Sequence, residues 1–92
     1  MKTSKTFKHD LKRFSKSIAR WQGLCDKAVR EGDLEMARQY EQDVKDLTDI
    51  YNLIVDGKYE SALDLAWELD TLVQDQIPRR LVKTIERMCK LR

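Results

Sequence analysis

The sequence predicts an all-α protein, a small four-helix antiparallel bundle built from a long helical hairpin, a third helix and a short C-terminal helix after Pro78. Three observations lead there. Apolar residues recur at steps of three and four along most of the chain, which is the spacing of a helix face and not of a strand. The 92 residues include one proline and three glycines, so few positions interrupt a helix. Two of those glycines open related stretches, "GDLEMA" at Gly32 to Ala37 and "GKYESA" at Gly57 to Ala62, and glycine is the residue that most easily adopts the left-handed conformation closing a helix. The expected organisation is a single helical domain over 1–92, with 1–5 disordered and helices at about 6–31, 34–55, 58–75 and 78–91.

The first helix is defined by Phe7, Leu11, Phe14, Ile18, Trp21, Cys25 and Ala28, an unbroken series of fours and threes that forms one apolar stripe. Phe7, Phe14 and Trp21 share a heptad position and read as core. Gly23, inside this helix, costs about 1 kcal/mol relative to alanine; it reads as a tolerated imperfection, with a close helix crossing or a kink as the alternative. The second helix carries Ala37, Tyr40, Val44, Leu47, Tyr51 and Ile54. In the third, Tyr59, Ala62, Ala66, Leu69 and Val73 are joined by Leu63, Leu65 and Leu72, giving an apolar face broad enough for more than one neighbour. Pro78 disfavours helical geometry at Ile77 and suits the first turn of a new helix. Leu81, Val82, Ile85, Met88 and Cys89 then point inward.

The two glycine stretches are the turns between helices. Asp33 follows Gly32 and its carboxylate can cap the next helix, whereas Lys58 follows Gly57 and cannot, so the second turn is expected to be the weaker. Trp21-x-x-Leu24 followed by Gly32-Asp33-Leu34 and Ala37 resembles the turn between the paired helices of a tetratricopeptide repeat, and Gly57, Tyr59 and Ala62 echo it. The pattern departs at Cys25, at Glu41 and in lacking a closing proline, and its period of 25 residues falls short of the roughly 34 of that family. What the resemblance implies is two tight helical hairpins.

Charge is segregated along the chain. Residues 1–30 hold nine Lys and Arg against two acids, residues 31–77 three against thirteen, and residues 78–92 six against one, so a net charge of +2 hides a basic, acidic, basic order. Lys8, Lys12, Lys16 and Arg20 step by four outside the apolar stripe and form a basic ridge. Cations at the starts of the first and last helices oppose the helix dipole. The expected internal compensation sets Lys5, Lys8 and Lys12 near Asp46, Asp49 and Asp56, and Arg79 and Arg80 near Asp70 and Asp75. An external polyanion on Lys8, Lys12, Lys16, Arg20, Arg79, Arg80 and Lys83 is the alternative.

Catalytic chemistry finds no foothold. The one histidine, His9, stands beside Asp10 in what reads as a frayed, exposed first turn, and neither Ser15 nor Ser17 has a base to activate it. Cys25 and Cys89 lie 64 residues apart without a CxxC or a nearby histidine, so no metal site is expected and the two read as buried thiols. No cofactor is expected either. No secretory signal or stretch of about 18 apolar residues is present, so the expectation is a cytoplasmic protein without membrane partners. The sequence therefore predicts a non-enzymatic protein-binding module, a small regulator, adaptor or inhibitor of a larger machine. Trp67, at the edge of the third helix's apolar face, is the candidate interface. A nucleic-acid-binding accessory protein and a structural homo-oligomer, such as a homodimer, are the alternatives.

Overall fold

A computed structural model describes residues 2–90, with side chains described from residue 5 onward. Five helices follow in order: α1 (Lys2–Arg30), α2 (Leu34–Val55), α3 (Tyr59–Trp67), α4 (Thr71–Gln74) and α5 (Arg79–Lys90). The described residues contain no strand. Met1, Leu91 and Arg92 lie outside them, and with Leu91 the expected last residue of the fourth helix. At 1.5 Å per residue, α1 is about 43 Å long, so it sets the longest dimension of a molecule measuring 47 × 24 × 20 Å.

Helix α1 starts at Lys2, not near residue 6, and the expected disorder over 1–5 gives way to helix from Lys2 on. The added turn places Asp10 about two turns inside α1 rather than near its first turn. Chain reversal after α1 comes from a Schellman-type ending. Gly32 has φ +79°, its N–H donates to Val29 O at 3.1 Å, and Asp33 N–H donates to Ala28 O at 2.9 Å. The second turn repeats this geometry, with Gly57 also at φ +79°, Gly57 N–H on Ile54 O at 3.0 Å and Lys58 N–H on Leu53 O at 2.8 Å. The turns differ in their caps. Asp33 accepts a hydrogen bond from Met36 N–H at 3.1 Å, while Lys58 makes no side-chain cap bond.

The ring contacts fix the direction of the first hairpin. Phe14 meets Tyr51 with centroids 5.9 Å apart, and Trp21 meets Tyr40 edge-on at 5.5 Å. Partner numbers fall on α2 as they rise on α1, so the helices are antiparallel. Phe7 meets Tyr59 edge-on at 6.4 Å, which places the start of α3 beside the beginning of α1. The main packing runs α1 on α2, α2 on α3, α3 on α5, and α5 back on α1. Phe14, Leu47, Ile50, Ile54, Leu81 and Ile85 are the large apolar side chains fully buried between them. Close-packed side chains of this kind supply most of the stability of a small domain.

The expected third helix over 58–75 is two helices. Glu68 ends α3 with its N–H turned to Leu65 O at 3.2 Å, Leu69 bonds Ala66 O at 3.2 Å, and Asp70 is extended at φ −61°, ψ 150°. The break frees the Leu69 carbonyl, and the Gln74 side-chain amide takes it at 2.7 Å. Val73 and Ile77 are buried beyond the break, so the kink lets the connection fold onto the core before α5 runs back. Leu72, expected on the apolar face, is instead 70% exposed. Gly23 sits on an open surface with nothing within 4 Å of a Cβ built on it, so it serves no close helix crossing.

Candidate functional site

Asp10 organises the basic end of the molecule. On α1 it lies three residues after Phe7 and four before Phe14, on the inward side, and it is fully buried. Arg80, near the start of α5, reaches it with a planar fork. Nη2 donates to Oδ1 at 2.8 Å and Nε donates to Oδ2 at 3.0 Å and to Oδ1 at 3.2 Å. Bidentate charge-assisted bonds of this type are among the strongest polar contacts a protein makes. The bond to Asp10, and then its charge, push the Arg80 guanidinium further toward the protonated state. Every buried side-chain nitrogen and oxygen among the described residues has a partner.

This pair corrects two expectations. The His9 and Asp10 turn is not frayed: His9 is exposed, but Asp10 is interior, because it faces the core side of α1 and Arg80 holds it there. Nor does Arg80 pair with Asp70 or Asp75. Among the described residues Asp10–Arg80 is the one ion pair that joins two helices, so the broad internal compensation of basic by acidic segments is not realised as contacts.

The remaining basic residues divide into two groups. Lys8, Lys12, Lys16 and Arg20 are all exposed along α1. Arg13, Lys16 and Arg20 line one wall of an open cleft of about 230 Å³ with Ser17, while Asp75, Gln76 and Pro78 form the other wall. Arg79 and Lys83 belong elsewhere, on the edge of a second cleft of about 240 Å³ floored by Ala66, Ile77 and Val82, with Trp67, Gln74, Asp75 and Glu86 around it. Of the seven predicted basic residues, Lys16 and Arg20 thus line the first cleft, and Arg79 and Lys83 the second. Arg13 escaped sequence reasoning because a strict four-residue step passes over it. It stands three before Lys16 and seven before Arg20, spacings that share a helix face equally well.

Trp67 is 58% exposed at the mouth of the second cleft. An aromatic side chain buries about 150–250 Å² in full, so an indole 58% exposed beside an apolar floor still offers roughly 90–145 Å² for burial. Around the first turn, Leu24, Val29, Leu34 and Met36 are also exposed, by 38% to 64%.

Two further groups have displaced proton affinities. Burial pushes the Asp43 carboxyl up, and neighbouring Asp46 and Asp70 push it further, so the acidic faces of α2 and of the α3–α4 connection converge there. Cys25 is buried, with Sγ 3.4 Å from Ala37 O; burial, then Asp26 and Glu41, hold its thiol above the usual range. Cys89 is half-buried, and both cysteines are free. Among the described residues no three His, Cys, Asp or Glu stand together as metal ligands, and no helix is long and apolar enough to cross a membrane.

Comparison of the chain with protein-family models, curated proteins and solved structures gives no match.

Proposed function

We propose that this protein is a non-enzymatic protein-binding module that takes an apolar segment of its partner into the cleft between α3 and α5. The scaffold in this reading is an antiparallel bundle of α1, α2, α3 and α5, with α4 serving as the corner between the last two. The observation that carries it is Trp67, 58% exposed over a floor of Ala66, Ile77 and Val82. Tryptophan and arginine are the side chains most enriched among residues that dominate binding energy, and here Arg79 stands on the rim of the same cleft with Lys83. Asp75 and Glu86 stand on the same rim, so charges of both signs surround the apolar floor and orient a partner's polar groups without favouring one sign. A small regulator or adaptor of a larger protein assembly fits such a surface.

The test joins capture to a local signal. Tagged wild-type protein is used to retrieve partners from source cells, and each retrieved protein is titrated against it while tryptophan emission is followed. Trp21 is buried and gives a constant background, so seating of Trp67 shifts the emission to the blue. Trp67→Ala loses both the shift and at least a tenfold share of the affinity, the scale of about 1.4 kcal/mol or more expected of a central aromatic anchor. Partners retained at full affinity by Trp67→Ala overturn the reading.

Self-association has its own specific support in the exposed Leu24, Val29, Leu34 and Met36 around the first turn. Sedimentation showing only monomer at high micromolar concentration removes it.

A further inference from the structure

We infer that the outer face of α1, with the cleft it forms against the α4–α5 connection, binds the phosphate backbone of a nucleic acid duplex without reading its sequence. The key observation is where the negative charge goes. Asp10 is the single acidic residue in the first 25, and it is fully buried and held by Arg80. Folding therefore removes the one carboxylate from this stretch of α1 and leaves Lys8, Lys12, Arg13, Lys16 and Arg20 exposed beside one another. Among the described residues none of these five has an ion-pair partner. A row of cations without interspersed anions creates a field that gathers phosphates.

The cleft adds shape to the charge. Arg13, Lys16 and Arg20 line it together with the Ser17 hydroxyl and the Gln76 amide, neutral groups of the kind that contact phosphate oxygens. Gln76 already gives one amide hydrogen to Leu72 O at 3.3 Å and retains another. Asp75 is the one carboxylate in the lining and opposes three cations.

The neighbouring side chains select the ligand. A membrane surface asks for apolar groups beside the cations, yet none of the exposed large apolar side chains lies between Lys8 and Arg20. Single strands are held by stacking bases on aromatic rings, whereas Phe14 and Trp21 are buried and Phe7 is packed on Tyr59. A duplex needs neither. From Lys8 to Arg20 is about 18 Å along the helix, a length over which one strand of a duplex presents about five phosphates. The cation count matches that number.

The test measures binding of a fluorescent random-sequence duplex of about 20 base pairs by anisotropy as salt rises from about 25 to about 100 mM. Four to five neutralised phosphates give a slope of log affinity against log salt of roughly −3.6 to −4.5, so affinity falls roughly 150- to 500-fold over that range. Lys16→Gln with Arg20→Gln flattens the slope by about 1.8 and weakens binding more than tenfold, about 1.4 kcal/mol. Lys27→Gln with Arg30→Gln removes the same net charge from exposed positions beyond the strip and changes affinity by no more than about threefold, since those positions make no phosphate contact. All four substitutions are at exposed positions, and unchanged circular dichroism confirms that the fold is kept. Equal losses from the two doubles, a slope flatter than about −2, or tighter binding to a single strand or to phosphatidylserine vesicles than to the duplex overturns the inference. The outcome is independent of Trp67, so it separates cleanly from the proposed protein-binding role.

Discussion

Replacing Lys58 with aspartate should stabilise this protein, and the two helix turns supply their own standard for how much. Asp33 and Lys58 occupy equivalent positions after left-handed glycines, with backbone angles of φ −87°, ψ 79° and φ −89°, ψ 65°. The aspartate bonds the N–H of the third residue on, Met36, at 3.1 Å, and the lysine bonds nothing at its own helix start. A side-chain N-cap contributes about 1 kcal/mol, within a range of roughly 0.5–2. Exchanging a cation for an anion at the positive end of a helix adds about 0.3–1 kcal/mol. Lys58→Asp should therefore gain roughly 1–2 kcal/mol, and for a domain of this size that raises Tm by about 4–16 °C. Lys58→Ser isolates the hydrogen bond and should recover about 1 kcal/mol, while Lys58→Ala removes only the charge and gains less. Asp33→Ala is the mirror experiment and should cost about 1 kcal/mol. Thermal melts followed by circular dichroism decide the matter. A Lys58→Asp Tm no higher than wild type, or Lys58→Ser no better than Lys58→Ala, would refute the reasoning.

Three other perturbations follow from the same structure. Arg80→Met strands the buried Asp10 carboxylate, whereas Asp10→Asn returns an already exposed guanidinium to water; Tm should fall further for the first, and less so when Asp10→Asn is also present. Arg80→Lys should not restore it, because an ammonium cannot make the forked contact, and additive losses in the double variant would contradict this. Asp43 holds its proton to higher pH in the folded chain than in the unfolded one, through burial and then Asp46 and Asp70. Its charge therefore lowers stability above the raised folded pKa and has no effect below the ordinary aspartate range. Asp43→Asn should raise the unfolding free energy at neutral pH by the scale of a like-charge helical pair, about 0.2–0.5 kcal/mol, with the gain fading toward about pH 4; a gain that persists in acid would exclude the electrostatic origin. Thiol labelling at mildly alkaline pH should modify Cys89 before Cys25, whose thiolate is opposed by burial, Asp26 and Glu41; the reverse order would contradict the packing around Ala37.

The sequence alone determined the helical class, the antiparallel first hairpin, the two glycine turns and most of the core, because these depend on local periodicity and on residues adjacent in the chain. Phe14, Trp21, Leu47, Ile54, Leu81 and Ile85 could each be placed inward from their spacing. The difference between Asp33 and Lys58 as caps was legible for the same reason. Tertiary structure decided what depends on contacts across the chain. The break at residues 68–70 follows from α5 having to return along the core, with Gln74 taking the Leu69 carbonyl, and no local pattern announces it. Asp10 and Arg80 are 70 residues apart, so only the docking of α5 on α1 shows that the carboxylate in the basic ridge is buried. That docking also divides the predicted basic set, sending Arg79 and Lys83 to the Trp67 cleft and joining Arg13 to Lys16 and Arg20. Charge order is a property of sequence; a charged surface depends on which helices face each other and which carboxylates they enclose.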